Sequence, residues 1–236
     1  MQLNNLNIAV LGAGRSGRAA ARLAIKHGAR VCVFDASSSI DGWPEDIPLH
    51  TAATEEDGRA FHADMVVISP GIETDSPFVK SFGREGVETI GEMELACRFY
   101  HGRIIAITGS DGKTTTSTIT AELLRAQGYT VHLGGNIGTP LFDRIPEIRP
   151  EDFAVLELSS FQLHSMHCAP DVAIITNISP NHLDVHPDFE DYVSAKCSIY
   201  RCQRPDGCLV LNAKDAHTPR FAAEAPGRVR YFSSIG

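Results

Sequence analysis

Continuous apolar runs that alternate with helix-like segments dominate the first ninety residues of the chain. The runs NIAVL at 7–11, RVCVFD at 30–35 and DMVVIS at 64–69 are typical of strands that are buried on both faces. A segment with helical spacing, RAAARLAIKHG, lies between the first two runs, and another helical pattern follows Pro77. Residues 36–62 are polar and rich in turn-forming residues, so the pattern predicts only turns there.

The same alternation restarts after residue 92. Strands are predicted at RIIAIT, YTVHLGG, FAVLELS, DVAIITN and GCLVLN, and helices at KTTTSTITAELLRAQG and FEDYVSAKCSIYRC. Strands that alternate with helices form parallel sheets with right-handed crossovers. The sequence therefore predicts an α/β fold of two successive doubly wound units. The first, at residues 1–92, is Rossmann-like, and the second, at 93–236, is an incomplete P-loop-type domain.

Composition narrows the class of protein. The net charge of -8 argues against a general nucleic-acid-binding surface. No apolar run approaches the roughly 20 residues of a membrane span, and the amino terminus lacks the features of a signal peptide. The six cysteines have no spacing that indicates a disulfide framework or a metal site. These features predict a cytoplasmic protein with reduced thiols.

A glycine-rich turn follows the first predicted strand. Gly12, Gly14 and Gly17 form a G-x-G-x-x-G pattern that opens a helix, and Asp35 ends the next strand. Such glycines let the backbone approach a diphosphate at the helix amino terminus, and the aspartate can accept hydrogen bonds from a ribose or a base. The pattern alone does not distinguish a nicotinamide dinucleotide from another nucleotide, and it is also compatible with a simple tight turn.

A second phosphate-binding pattern lies in the second half of the chain. The stretch TGSDGKTTT follows a predicted strand and opens a long helix, but Ile107 stands where the usual G-x-x-x-x-G-K-[ST] loop has its first glycine. Main-chain N–H groups, a lysine and a hydroxyl at such a loop hold phosphates and Mg²⁺. The pattern predicts a nucleoside-triphosphate site formed by Gly109, Ser110, Asp111, Gly112, Lys113, Thr114 and Thr115.

Two further groups of residues could bind metal ions, and the sequence favours only the first of them. Glu157 ends the apolar strand FAVLE, where a carboxylate beside a phosphate loop is suited to Mg²⁺. His182 and His186 follow another strand, but Pro180 and Pro187 argue against one helix that presents both, and a zinc pair is disfavoured.

Taken together, the motifs TGSDGKTTT, GGNIG, LELSSFQL and NHLDVH, followed by Lys196, resemble the Mur ligase family, whose phosphate loop has this short form. Within that family, GAGRSG, Asp35 and SPG are most similar to the member that adds D-glutamate. The resemblance implies an ATP-dependent amide ligase of peptidoglycan precursor synthesis. ATP would phosphorylate the carboxylate of UDP-N-acetylmuramoyl-L-alanine, and the amine of D-glutamate would attack the acyl phosphate.

The resemblance also implies roles for individual residues. Lys113, Lys196 and His182 would be catalytic, and two Mg²⁺ ions would be held by Thr114, Glu157, His182 and Lys196. Lys196 would carry a carbamate, because an ammonium would repel the metal. The substrate would contact Arg15, Ser16, Asp35, Ser69, Pro70, Gly71, Asn136, Ser159 and Gln162.

Members of the family have a further carboxy-terminal domain and a longer central domain, and the sequence ends before both. We therefore expect a monomer that binds the UDP-substrate but is weak or inactive as a ligase alone. Two alternatives remain open: a catalytically incomplete module that binds a UDP-sugar or ATP, and an NAD-dependent oxidoreductase that uses the first glycine turn.

Overall fold

The computed structural model describes residues 2–137, 141–143, 145, 148–180 and 186–233. Contacts divide the chain into two compact units, Met1–Phe99 (unit 1) and Tyr100–Gly236 (unit 2). Each unit contains a wholly parallel sheet with helical crossovers, which confirms the predicted α/β class. The functional division between residues 92 and 93 stays a prediction, because compactness does not identify the ligand that each unit binds.

Unit 1 is a five-stranded sheet with the order β3-β2-β1-β4-β5. The strands are β1 (Asn7–Leu11), β2 (Arg30–Phe34), β3 (Leu49–His50), β4 (Met65–Ile68) and β5 (Glu88–Gly91). The helices are α1 (Arg15–Lys26), α2 (Glu55–Phe61), α3 (Pro77–Phe82) and α4 (Glu92–Phe99). The chain reverses its direction across the sheet at β1, so the carboxyl end of β1 lies at the switch point where ligands of such sheets bind.

The prediction of turns alone over residues 36–62 is wrong, because β3 and α2 lie within this segment. Helix α2 begins at a capping box, in which the Thr54 side chain accepts from the Asp57 N–H and the Asp57 carboxylate accepts from the Thr54 N–H. The Thr-Glu-Glu-Asp sequence is a variant of the known helix-start signal. It was missed because the helix is short and buries little apolar surface.

The core of unit 1 contains the continuous apolar runs of its strands. Ala9, Leu11, Val66 and Ile68 are at most 4% exposed and pack with aromatic side chains on one face of the sheet. The rings of Phe34 and Phe82 meet edge to face with their centroids 4.7 Å apart. This packing fixes the strand ends, and therefore the glycine turn that follows β1.

Unit 2 is a six-stranded sheet with the order β11-β10-β9-β6-β8-β7. The strands are β6 (Arg103–Thr108), β7 (Val131–Gly135), β8 (Phe153–Glu157), β9 (Val172–Ile175), β10 (Cys208–Asn212) and β11 (Arg228–Phe232). The helices are α5 (Lys113–Ala126), α6 (Ser160–His164), α7 (Phe189–Arg201) and α8 (Thr218–Glu224), and a 3₁₀ turn spans Leu141–Asp143.

Strand β6 pairs with β8 on one side and with β9 on the other. The loop after β6 therefore lies at the switch point of the second sheet, between the ends of two neighbouring strands. Helices α6 and α8 and strand β11 were not predicted, because they are short and lack a clear apolar period. Within the described parts of the chain, no helix combines the length and apolar character that crossing a membrane requires.

Candidate functional site

The loop between β6 and α5 has a backbone that favours glycine. Gly109 has φ +148°, and a Cβ there would overlap the hydroxyl of Thr176. The absence of a side chain lets this loop pass directly over the carboxyl end of β9. Position 109 therefore requires glycine because the loop backbone lies so close to Thr176. The sequence pattern predicted the need for glycine in this loop only in general terms.

Residues at the end of β9 hold the phosphate loop in place. The backbone N–H of Ser110 donates to the Asn177 carbonyl (2.9 Å), and the N–H of Asp111 donates to Asn177 Oδ1 (3.1 Å). Asn177 Nδ2 donates in return to the Asp111 carbonyl (3.0 Å), as does the Thr176 hydroxyl (2.6 Å). Two loop N–H groups therefore bond to Asn177, and the open N–H groups are those at the start of α5.

The hydroxyl of Ser110 makes a second attachment. It donates to the Ser179 carbonyl, accepts from the Ser179 N–H, both at 2.9 Å, and lies 3.0 Å from the hydroxyl of Tyr192. Sequence reasoning missed Thr176, Asn177, Ser179 and Tyr192 as supports of the loop. The only available signal was the polar Thr-Asn pair at a strand end, since parallel strands bring their carboxyl ends to one edge of the sheet.

Lys113 is the first residue of α5, and its side chain folds back over the loop. Its Nζ donates to the carbonyl oxygens of Gly109 (2.9 Å) and Ser110 (2.8 Å). Gly112 directly precedes the helix and provides no side-chain cap, and Thr115 is exposed in the first turn. A lysine ammonium, uncapped N–H groups and the positive end of the helix dipole thus lie together, which favours an anion at this position.

Thr114 and Glu157 meet beside the helix start. The Thr114 hydroxyl donates to Glu157 Oε2 (2.8 Å), and Asn136 Nδ2 donates to Glu157 Oε1 (3.2 Å). Glu157 is 2% exposed and forms no ion pair with any described residue. A buried carboxylate next to a hydroxyl, without an ion pair among the described residues, is a set of hard oxygen donors that fits Mg²⁺.

Lys196 enters the same site from α7. It is 2% exposed, and its Nζ donates to the Gly109 carbonyl (3.1 Å) and the Thr108 hydroxyl (3.3 Å). Burial, together with the nearby charge of Lys113, lowers the pKa of Lys196 to about 7. The ammonium also lies 4.6 Å from the centre of the Tyr192 ring. Lys113 and Lys196 therefore share one acceptor, the Gly109 carbonyl.

The predicted substrate residues Ser159 and Gln162 form the start of α6. The Ser159 hydroxyl accepts from the Gln162 N–H, and Gln162 Oε1 accepts from the Ser159 N–H and hydroxyl. This capping box fixes both side chains. The Gln162 Nε2 group forms no hydrogen bond with the described residues, so it remains able to donate to a ligand.

A buried chain of hydrogen bonds anchors α6 to α7. His186 Nε2 lies 2.9 Å from the Ser160 hydroxyl, and His186 Nδ1 lies 2.6 Å from Asp191 Oδ2. The hydrogen bond from His186 is the largest of the causes that hold the pKa of Asp191 below its usual value. These contacts give His186 a structural role, which is to join α6 to α7. His182, predicted to be catalytic and a metal ligand, lies outside the described residues.

The glycine turn of unit 1 has a different chemistry. Asp35 Oδ2 accepts from the Ala13 N–H in the turn (2.7 Å), and Oδ1 accepts from the Ser37 N–H (2.9 Å). Burial would raise the pKa of Asp35, but these hydrogen bonds outweigh it and hold the pKa below its usual value. A carboxylate has further lone pairs, so Asp35 can still accept from a ligand. Ser69 donates to the Gly12 carbonyl (3.3 Å).

The other residues predicted to bind substrate in unit 1 border the same turn. Arg15 and Ser16 form the first positions of α1, and Arg15 is exposed. Pro70 and Gly71 are exposed and follow Ser69 at the carboxyl end of β4, which pairs with β1. The structure therefore brings Arg15, Ser16, Asp35 and Ser69 to one edge of the sheet of unit 1.

Two family descriptions match the chain. Residues 107–236 match "Mur ligase middle domain", and residues 6–91 match "Mur ligase MurD-like, N-terminal domain". A UDP-N-acetylmuramoylalanine–D-glutamate ligase of Acetivibrio thermocellus is 40% identical over 245 residues, which cover 98% of this chain and 51% of that protein. The chain spans about half the length of the curated relatives it matches.

Solved structures share the fold at lower identity. The UDP-N-acetylmuramate:L-alanyl-gamma-D-glutamyl-meso-diaminopimelate ligase of Neisseria meningitides has a TM-score of 0.63 and 19% identity, covering 97% of this chain and 78% of that one. A MurF ligase of Thermotoga maritima in complex with ADP has a TM-score of 0.51 and 19% identity, covering 99% and 49%. The family matches extend through both units, and the chain belongs to the Mur ligase family.

Proposed function

We propose that this chain contributes the UDP-substrate-binding and ATP-binding parts of an ATP-dependent amide ligase. The reaction is the addition of D-glutamate to UDP-N-acetylmuramoyl-L-alanine through an acyl phosphate, in the synthesis of peptidoglycan precursors. The name of the 40% identical relative and the match to the MurD-like amino-terminal domain support this choice of amino acid. The NAD-dependent alternative leaves the phosphate loop of unit 2 without a role.

The arrangement of Lys113 at the start of α5 carries the proposal. Its ammonium is already held over the loop by the carbonyl oxygens of Gly109 and Ser110, at 2.9 and 2.8 Å. An incoming triphosphate would replace these neutral acceptors with anionic ones, which form stronger hydrogen bonds. The uncapped N–H groups of the first helical turn would hold the same phosphates.

Thr114 and Glu157 fit one Mg²⁺ ion, and Asn136 would orient the Glu157 carboxylate. When bound, ATP and Mg²⁺ supply the phosphoryl group and the charge that stabilises its transfer. The residues of the chain would bind and orient these groups and balance their negative charge. A substrate carboxylate becomes reactive toward an amine only after its oxygen has become a phosphate leaving group, and the clustered charge of Lys113 and the metal favours that transfer.

Lys196 would hold a second Mg²⁺ as a carbamate, together with His182. A neutral amine attacks CO₂ to form the N–C bond and releases one proton to solvent. The lowered pKa of Lys196, about 7, keeps a large share of the amine neutral near neutral pH. Mass spectrometry of the intact protein with and without bicarbonate tests the modification. A gain of one CO₂ is expected in the wild type and not in Lys196→Ala, whereas an unmodified wild type in bicarbonate would exclude it.

The glycine turn of unit 1 would bind the UDP moiety of the substrate. Its diphosphate would lie at the start of α1 near Arg15 and Ser16, and Asp35 would accept hydrogen bonds from the ribose or the base. Ser69, Pro70 and Gly71 would lie near the diphosphate-sugar part. In unit 2, Asn136, Ser159 and Gln162 would contact the substrate.

We also propose a cellular location, a biological role and an oligomeric state for the enzyme. Peptidoglycan precursors that carry UDP imply a cytoplasmic protein with a role in cell-wall biogenesis and hence in cell shape and division. We propose a monomer, without a nucleic-acid partner.

A comparison of ligands by thermal shift tests the proposed function. UDP-N-acetylmuramoyl-L-alanine and ATP–Mg²⁺ should each raise the melting temperature of the chain, because a ligand that binds only the folded state stabilises it by mass action. NADH should have no effect. A shift with NADH and none with the other two ligands would contradict the proposed function and favour the oxidoreductase.

A further inference from the structure

Arg18 is a cation beside the glycine turn of unit 1, without an ion-pair partner among the described residues. It lies on α1, one helical turn beyond Gly14, whose carbonyl accepts the Arg18 N–H at 3.0 Å. The guanidinium forms no hydrogen bond or ion pair with any residue that the structure describes, and its Nε is buried without a partner. Leaving a charged donor without an acceptor is costly, so such a group is typical of a binding surface rather than of simple packing.

The Arg18 side chain is nevertheless held in place. Its guanidinium carbon lies 5.1 Å from the centre of the Trp43 ring, a cation–π contact. Trp43 is in turn fixed by a hydrogen bond from its Nε1 to the Ile47 carbonyl (2.8 Å), and Ile47 is 2% exposed. Arg18 therefore has a defined direction, although no described residue gives it a counter-anion or an acceptor.

The position of this pair relative to Asp35 indicates which part of a nucleotide it would meet. Asp35 directly follows β2, bonds to Ala13 in the glycine turn, and begins the segment that carries Trp43. In sheets of this type, the diphosphate lies at the glycine turn, the ribose near the acidic residue after β2, and the base beyond the ribose. The contact between Arg18 and Trp43 joins α1 to the segment that follows Asp35, and a base that lies beyond the ribose would meet this segment.

We propose that Arg18 and Trp43 form the nucleobase-binding end of the nucleotide site in unit 1. The guanidinium donates to a carbonyl oxygen of a uracil-type base, while the indole ring keeps the guanidinium oriented. This inference rests on the proposed function, because it takes a uridine diphosphate group as the ligand of unit 1. It adds two residues that neither the glycine pattern nor Asp35 identifies.

Trp43 is the only tryptophan of the chain, so its fluorescence reports on this position directly. UDP is added to the wild-type chain, to Arg18→Gln and to Arg22→Gln. Arg22 is the matched control, because it is an exposed arginine one turn further along the same helix. We expect UDP to change the Trp43 emission of the wild type and of Arg22→Gln with similar affinity. Arg18→Gln should bind about tenfold more weakly, through the loss of a charged hydrogen bond.

Competition with inorganic pyrophosphate separates the base from the phosphates. We expect Arg18→Gln to leave the affinity for pyrophosphate unchanged, since the guanidinium would meet the base. An equal loss for UDP and pyrophosphate would place Arg18 at the diphosphate and overturn the inference, as would unchanged UDP affinity in Arg18→Gln. A wild type that does not bind UDP would instead contradict the assignment of unit 1, and with it the inference.

Three further variants guard against a folding defect. Arg18→Lys keeps the positive charge but not the planar donor group, so an intermediate loss of UDP affinity is expected. Trp43→Phe keeps a ring under the guanidinium and should lose less affinity than Trp43→Ala, measured by calorimetry. Equal UDP affinity of the wild type and all of these variants, each with a cooperative thermal transition, would refute a role for the pair.

Discussion

The two units contain the same strand–turn–helix arrangement with different chemistry at the turn. In unit 1, the turn between β1 and α1 is held by a carboxylate, Asp35, and the helix presents Arg18 against an aromatic ring. In unit 2, the loop is held by a neutral amide, Asn177, and is flanked by Lys113 and the buried Lys196. The backbone arrangement provides a place for an anion in both units, and the neighbouring side chains decide what else is bound.

The residues that hold the two turns differ in charge. An anionic support such as Asp35 reduces the attraction of the first turn for highly charged phosphates, whereas it suits the hydroxyl groups of a ribose. A neutral support adds no negative charge to the second loop, which favours the binding of a triphosphate there.

The largest effect is expected from Gly109→Ala in unit 2. The new Cβ would overlap the Thr176 hydroxyl at a strained backbone angle, so the free energy of unfolding should fall by about 3–4 kcal/mol. Gly14→Ala in the turn of unit 1 is the control, because no atom lies within 4 Å of its Cβ position. Urea denaturation should show a change below about 0.5 kcal/mol there. Equal losses would show that the two turns are equally crowded.

Removal of the Lys113 ammonium should weaken the binding of ATP–Mg²⁺ to unit 2 and leave the binding of UDP to unit 1 unchanged. Lys113→Met is expected to weaken ATP–Mg²⁺ binding about 100-fold, because charged hydrogen bonds to the phosphates are lost. The affinity for UDP serves as the internal control and should not change. Isothermal titration calorimetry with both nucleotides makes the measurement. A parallel loss of UDP affinity would mean that the two turns do not have separate ligands.

The buried ammonium of Lys196 should lower the free energy of unfolding of the chain. Its pKa falls from 10.5 in the unfolded chain to about 7 in the folded one, so the unfolded state binds more protons between these values and stability rises with pH there. In bicarbonate-free buffer at pH 6, Lys196→Met should be more stable by about 2 kcal/mol. The gain should shrink above pH 7 and vanish near the upper value. A gain independent of pH would contradict this explanation.

The contributions of Asp35 and Asn177, which hold the two turns, to the free energy of unfolding should depend differently on pH. Asp35→Asn should lower the free energy of unfolding by about 1 kcal/mol at pH 7, because a hydrogen bond to a main-chain N–H is lost. The pKa of Asp35 is lowered from 3.8 in the folded chain. The difference in unfolding free energy between wild type and Asp35→Asn should therefore stay constant from pH 7 down to about 3.8, and it should shrink as the pH falls through the folded-state pKa. Asn177→Ala should show a similar loss without this pH dependence. Denaturation curves over a pH series make the comparison.

The sequence by itself determined the fold class and the position of both turns. The continuous apolar runs predicted eight of the strands that the structure describes, because strands buried on both faces need them, and glycines at strand ends marked the turns. Helices α2 and α6 were missed, since a short helix depends more on its cap than on an apolar period. The shortened phosphate loop and its lysine could also be recognised, because contiguous residues form them.

Only the tertiary structure decided how distant residues act at these turns. The loop of unit 2 depends on Asn177, which follows a strand that is remote in the sequence and adjacent in the sheet. The lowered pKa of Lys196 arises from burial and from a second lysine on another helix, and neither can be read from local sequence. The contact between Arg18 and Trp43 likewise depends on the path of the chain after β2. Burial and through-space charge are properties of the packed chain, so no local pattern encodes them.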